Sequence, residues 1–261
     1  MSAGLKRRLP ATLLALALLG AWELYVDLAA VEEDLLPAPH AVAAALWNNA
    51  GLVGRNFAVT AEEVVLGLAL ALAGGLAMAV AIHLSPLLRR AVYPLAVGSQ
   101  AIPIPVIGVL FVFWWGFGIF PKLVVIALIC FFPVLVSTVD GLAAVDPDQP
   151  KLMRTLDATR WQSFRFAELP AAMPAALSGA RIALAVGVIG AFIAETSTPT
   201  SAAYAGLGRE IVVNVGNGFQ TPLAYAATAV LFAFAITCFY TLGLAERKLI
   251  PWSTQPRGET R

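Results

Sequence analysis

Six apolar stretches, near residues 9–30, 57–84, 91–116, 121–140, 177–195 and 222–244, constrain this chain more than any motif within it. A helix needs about 20 mostly apolar residues to cross the hydrocarbon of a bilayer, and each stretch reaches roughly that length. Inside a bilayer every backbone N–H and C=O must bond within its own segment, so the stretches read as helices. The composition agrees: 59% of the 261 residues are hydrophobic and 13% charged, with mean hydropathy +0.80. That is more apolar side chain than one water-soluble core uses. The expected fold class is therefore all-α, a polytopic membrane helix bundle with about six transmembrane helices.

Charge placement orients such a bundle. With the N-terminus in the cytoplasm, only Arg55, Lys122 and Arg209 fall outside, and the other fourteen of the seventeen basic residues fall inside. This is the bias of the positive-inside rule, and it places both termini in the cytosol of a multi-pass plasma or inner membrane protein. Lys6-Arg7-Arg8 before Leu9 to Trp22 also has the form of a signal peptide, but apolar character continues through Leu24-Tyr25-Val26 without a clear small-x-small cleavage site. The stretch is read as a retained first span. A net charge of +1 supplies no clustered basic surplus for nucleic acid.

The joints carry local signals. Glu32-Glu33-Asp34 and Leu36-Pro37-Ala38-Pro39 end the first helix, and His40 to Leu46 reads as an outer interfacial helix. Pro94, Pro103 and Pro105 surround Ser99-Gln100 in the third stretch and predict a kinked span, because each proline deletes a backbone donor. Small residues at Gly67 to Ala71 and Gly74 to Ala79 suit close helix approach, where lipid gives no hydrophobic drive to associate. Cys130 and Cys238 lie in apolar runs and read as small buried hydrophobes.

Several side chains are candidates for a solute path, each with a plainer alternative. Ser99 and Gln100, with Ser137 and Thr138, offer weak polarity or simple helix hydrogen bonding. Trp114 and Trp115 offer a stacking platform or an interfacial aromatic belt, the belt being preferred. Glu195, at the end of the fifth stretch, is a gate residue or an ordinary interfacial carboxylate, the latter preferred. His83 reads as structural and His40 as exposed.

Between the fourth and fifth stretches, residues 146–170 form the one long charged amphipathic segment. Asp146 or Asp148 caps a short helix that tolerates Pro147 or Pro150 in its first turn, and Thr159-Arg160-Trp161-Gln162 has the form of a capping box for a second. A turn near Asp157-Ala158 separates them. Met153, Leu156, Trp161 and Phe164 supply apolar contact, with Arg154, Arg160 and Arg165 around them. The segment is either a docking surface for a soluble protein or an amphipathic loop on lipid headgroups.

Arg154 to Phe164, then Leu169-Pro170-Ala171-Ala172-Met173-Pro174 and Gly179-Ala180-Arg181, resemble the cytoplasmic loop of ABC importer permeases. Leu36-Pro37-Ala38-Pro39 with the helix after it, Trp115-Gly116-Phe117-Gly118 with Pro121-Lys122, Phe131-Phe132-Pro133, Thr138 to Leu142, and Ala194-Glu195 before Gly206-Leu207-Gly208 resemble the nitrate/sulfonate/taurine branch in matching order. Val139 to Asp148, followed by Leu152 to Leu156, is similar to permeases for pyrimidine precursors of thiamine, with riboflavin permeases close. Of the general family pattern Glu-Ala-Ala-x3-Gly-x9-Ile-x-Leu-Pro, only Leu169-Pro170 is retained, and Asp157 stands where the family has the turn glycine.

The resemblance implies one type I permease domain over 1–261: a first span and outer helix in 1–56, a five-span core in 57–245 with a coupling loop at 141–176, and a cytoplasmic tail at 246–261. It implies a homodimer in membrane lipid, a binding protein delivering solute outside, and cytosolic ATPases gripping Met153, Arg154, Leu156, Asp157, Ala158, Trp161, Phe164, Leu169 and Pro170. The chain lacks a Gly-x4-Gly-Lys-Ser/Thr loop, so ATP is assigned to the partner, and this chain is expected to bind no cofactor or metal and to be no enzyme. Alternatives are a sulfonate, taurine or nitrate permease, or an ion-coupled secondary transporter, which would need buried acids in mid-membrane.

Overall fold

The computed structural model describes residues 3–197, 205–216 and 220–250; the tail beyond residue 250 lies outside these residues. Every regular element among the described residues is helical: α1 (Ala3–Ala29), α2 (Pro39–Asn48), α3 (Ala50–Leu84), α4 (Pro86–Ser99), α5 (Ile104–Trp115), α6 (Ile119–Ala143), α7 (Asp148–Thr155), α8 (Arg160–Ser163), α9 (Leu169–Ser197), α10 (Leu207–Gly216) and α11 (Thr221–Leu249). A single π-helical turn, Phe164–Glu168, joins α8 to α9, so that 160–197 runs as one helical rod. The chain groups into two units, one of residues 1–59 with 205–232 and the other of 60–204 with 233–261.

In the first unit, α1 ends before a turn in which the N–H groups of Leu35 and Leu36 donate to Glu32 O at 2.9 and 3.1 Å. Pro39 then opens α2, where its fixed φ suits the first helical position and its missing N–H would have been unpaired anyway. Glu23 of α1 reaches this opening: the His40 backbone N–H donates to its Oε2 at 3.2 Å, and His40 Nδ1 pairs with its Oε1. One carboxylate thus serves an orphan donor and the positive end of α2 together. Tyr225 packs its ring 6.3 Å from Trp22. Asn56 donates to Glu210 Oε2 at 2.9 Å, fixing α10 against the start of α3.

In the second unit, α6 and α9 pack along their length, and α3 lies against α6. Glycine makes these approaches possible. A Cβ on Gly67 would sit 2.6 Å from Ile126 Cγ2, and one on Gly179 would sit 2.6 Å from Ser137 Cβ. The small residues singled out in the second stretch therefore serve bundle packing. Cys130 is buried with its Sγ 3.2 Å from Ala183 O, and Cys238 is half-buried; both are free thiols.

Five helices are long and apolar enough to cross a membrane, and six spans result if α4 and α5 are taken as one broken span. The sequence suggested a kink there; the two helices instead meet at 98°. Pro94 bends no such angle, because α4 continues past it to Ser99. Pro103 and Pro105 decide the break, since together they remove two donors and Pro103 pushes Ile102 out of helical geometry.

Candidate functional site

The segment between α6 and α9 has the two-helix form its capping residues specify. Asp146 Oδ1 accepts from the Asp148 N–H at 2.9 Å and opens α7, with Pro147 at the cap. Thr159 opens α8 through a reciprocal capping box: the Gln162 N–H donates to Thr159 Oγ1 at 3.3 Å, and the Thr159 N–H donates to Gln162 Oε1 at 2.8 Å. Between them Asp157 stands at φ +53°, in the left-handed region that the family glycine would occupy without strain. Its N–H donates to Arg154 O at 3.1 Å, and that of Ala158 donates to Met153 O at 3.1 Å, so the end of α7 closes on itself.

This geometry sorts the expected docking residues. Leu156 and Trp161 are 69% and 55% exposed, with Arg154 and Asp157 also exposed and Met153 and Ala158 half-buried. Phe164 departs from the expectation of an outward contact. It is 2% exposed and forms a core with Leu142 and Ala172, against which Val80, Leu84 and Leu169 pack. Phe164 and Glu168, four residues apart and so on one helical face, bound the π-helical turn and are both buried. Leu169 and Pro170 are half-buried at the start of α9.

Glu168 was not singled out by its place in the sequence. Its Oε2 lies 2.5 Å from His83 Nε2 on α3, and its Oε1 accepts from Ser163 Oγ at 3.2 Å. The His83 ring also stands 5.8 Å from that of Phe164, which is 5.5 Å from the ring of Trp161. His83, read from the sequence as a lone histidine, therefore has an acidic partner.

Beside this core an apolar cavity of about 650 Å³ is lined by Leu76, Ala77 and Val80 of α3, Thr138 of α6, and Leu169, Ala172, Met173, Ala176 and Leu177 of α9. Thr138 turns its hydroxyl to Val134 O at 2.6 Å, leaving the wall almost wholly apolar.

The candidate path residues do not converge. Ser99 donates to Ala96 O of its own helix at 2.7 Å, and Gln100 is exposed at the break. Trp114 is 62% exposed and packs with Trp115 and Phe111 at 6.1 and 5.9 Å, as rings of an aromatic belt do. Glu195 differs from the interfacial carboxylate expected: it is 1% exposed and accepts from Thr60 Oγ1 at 2.6 Å. Nearby, Lys122, which charge counting put outside, is fully buried and donates to Glu63 Oε1 at 2.8 Å. No sequence signal short of the α3, α6 and α9 packing brings these groups together.

Residues 71–249 match the family model for the binding-protein-dependent transport system inner membrane component. The chain belongs to this permease family. It is 32% identical to the riboflavin transport system permease protein of Chloroflexus aurantiacus, over 94% of this chain and 89% of that one. It is 32% identical to the formylaminopyrimidine transport permease protein of Halalkalibacterium halodurans, over 92% and 94%. Identity to the taurine transport system permease protein of Escherichia coli is 30%, over 90% and 86%. The fold is similar to that of an amino acid ABC transporter crystallised with histidines, with TM-score 0.63 and 18% identity, over 78% of the permease and 96% of that chain. The chain is thus an ABC transporter permease, a multi-pass inner membrane transport subunit, and the resemblance read from motifs between residues 36 and 208 is borne out.

Proposed function

We propose that this permease is the conduit of an importer powered by separate ATPase subunits, which grip the α7–α8 segment from the cytosol. The observation that carries the reading is the exposed face of Leu156, Trp161 and Arg154 on two short helices that are capped, turned and anchored from beneath by Phe164. A loop merely resting on lipid has no use for such a fixed geometry, whereas a protein socket needs one. Both termini then face the cytosol, and solute arrives from an extracytoplasmic binding protein at the opposite side. Two copies form the channel as a homodimer. Met153, Asp157, Ala158, Leu169 and Pro170 shape the turn and the base of the segment, while Ser99, Gln100, Trp114 and Glu195 act in packing and anchoring more than in solute contact. ATP is bound by the partner alone.

The solute class follows the relatives at 32% identity, which are named for riboflavin and formylaminopyrimidine. We assign this permease a planar nitrogen heterocycle of that kind, and the almost apolar 650 Å³ cavity supports a flat, weakly hydrated solute over a sulfonate. Co-purification with its ATPase and binding protein, followed by a scan of pyrimidines, flavins and sulfonates for stimulated ATP hydrolysis, tests both parts. Stimulation by taurine alone would replace the heterocycle with a sulfonate.

A further inference from the structure

Force applied to the α7–α8 segment has a covalent route into α9, because 160–197 is one helical rod. It has no such route into α3, the helix that forms the facing wall of the apolar cavity. We propose that His83 and Glu168 are positioning residues that couple the docking segment to the C-terminal end of α3, so that α3 moves with the segment when the ATPase engages. This rests on the docking role proposed above.

Three observations converge on it. The Glu168 carboxylate is held at both oxygens, by Ser163 of α8 and by His83 of α3, and both partners of the interhelical pair are largely withdrawn from solvent at 12% and 19% side-chain exposure. Beside the pair, tilted ring contacts run from exposed Trp161 through buried Phe164 to His83. A π-helical turn, bounded by Phe164 and Glu168 on one helical face, interrupts the regular ladder where the segment runs into α9. Such turns cost helix regularity and recur at functional sites.

The consequence reaches the cavity. Val80, three residues before His83, packs against the core of Phe164 and also lines the cavity, as do Leu169 and Ala172 across from it. Displacing the end of α3 with the segment therefore moves one wall of the cavity against the other. Without the pair, α9 would move and α3 would lag.

Hydrogen–deuterium exchange on the intact permease in nanodiscs, with and without its ATPase and Mg·ATP, tests this. In the wild type, ATPase binding slows exchange in 160–168 and also in 78–84. Glu168→Ala keeps ATPase binding and the response in 160–168 but reduces the response in 78–84 by roughly tenfold, within the usual range for coupled sites. Glu168→Gln, which retains a hydrogen-bonding oxygen and amide, restores most of it. A response in 78–84 unchanged in both Glu168→Ala and His83→Leu overturns the coupling, as does a wild type that responds only in 160–168. Loss of both responses in Glu168→Ala and in Glu168→Gln also overturns it, by reducing the pair to a structural support. A wild type that binds no ATPase overturns the docking role, and the coupling falls with it.

Discussion

Lys122 Nζ lies 2.8 Å from Glu63 Oε1, and neither side chain has any exposed surface. Glu63 is on α3 and Lys122 on α6, and Thr60 on α3 in turn donates to Glu195 on α9. Three helices therefore meet through ionised or ionisable groups in a region of otherwise apolar packing. A buried charge is tolerated only when it is paired and hydrogen-bonded, so these groups are bound to one another by the cost of separating them.

Lys122→Met will strand Glu63 and should destabilise the permease by about 3–5 kcal/mol, the usual cost of breaking a buried pair. Lys122→Met combined with Glu63→Gln should recover part of this, because the carboxylate that Lys122 pairs is removed with it, while Glu195 keeps its bond from Thr60. Thermal unfolding in detergent compares the two, and equal losses in both would contradict the pairing.

Asp157 at φ +53° gives a backbone prediction. Asp157→Val should cost about 1–2 kcal/mol, because a β-branched residue resists the left-handed region, while Asp157→Gly should be tolerated. Proteolysis of the α7–α8 segment reads the difference. Equal cleavage of the two variants would contradict a strained turn.

The helices and the two-helix form of residues 146–170 were legible in the residues for different reasons. Apolar runs fix helices because lipid offers the backbone no other partner, and the Thr159–Gln162 box and the turn at Asp157 are local signals that need no tertiary context. What escaped was set by contacts distant in sequence. Phe164 looked like an outward aromatic but packs against Leu142 and Ala172, and Glu168 meets His83, 85 residues away. Lys122 and Glu195 sit near the ends of apolar runs, where exposure is the ordinary expectation; packing of α3, α6 and α9 buries them instead.

Leu156→Asp and Trp161→Ala each remove an exposed apolar side chain of the proposed docking face. Each should weaken ATPase association by about 2 kcal/mol or more, as loss of a central anchor does, while leaving membrane insertion intact. Affinity of the ATPase for permease in nanodiscs measures this, and unchanged affinity in both variants would displace the interface from this segment.

His40 titrates above its ordinary value of 6.5, first because its side chain hydrogen-bonds Glu23 and then through the charges of Glu23, Asp27 and Glu33. A raised value in the folded protein means the contact contributes fully below pH 6.5 and is lost as pH rises through the folded value. The α1–α2 joint should therefore loosen on the alkaline side, and Glu23→Gln should bring the titration of His40 back toward 6.5. Histidine NMR titration in the two proteins reads this directly. A titration point unaffected by Glu23→Gln would remove the pair as its cause.

In the proposed importer the permease does no work of its own and is driven through residues 146–170. Reconstitution in proteoliposomes with the binding protein and a heterocyclic solute, with ATPase and ATP present or withheld, tests it most directly. Accumulation only when ATPase and ATP are both present is the predicted result; concentrative uptake by the permease without them would contradict it.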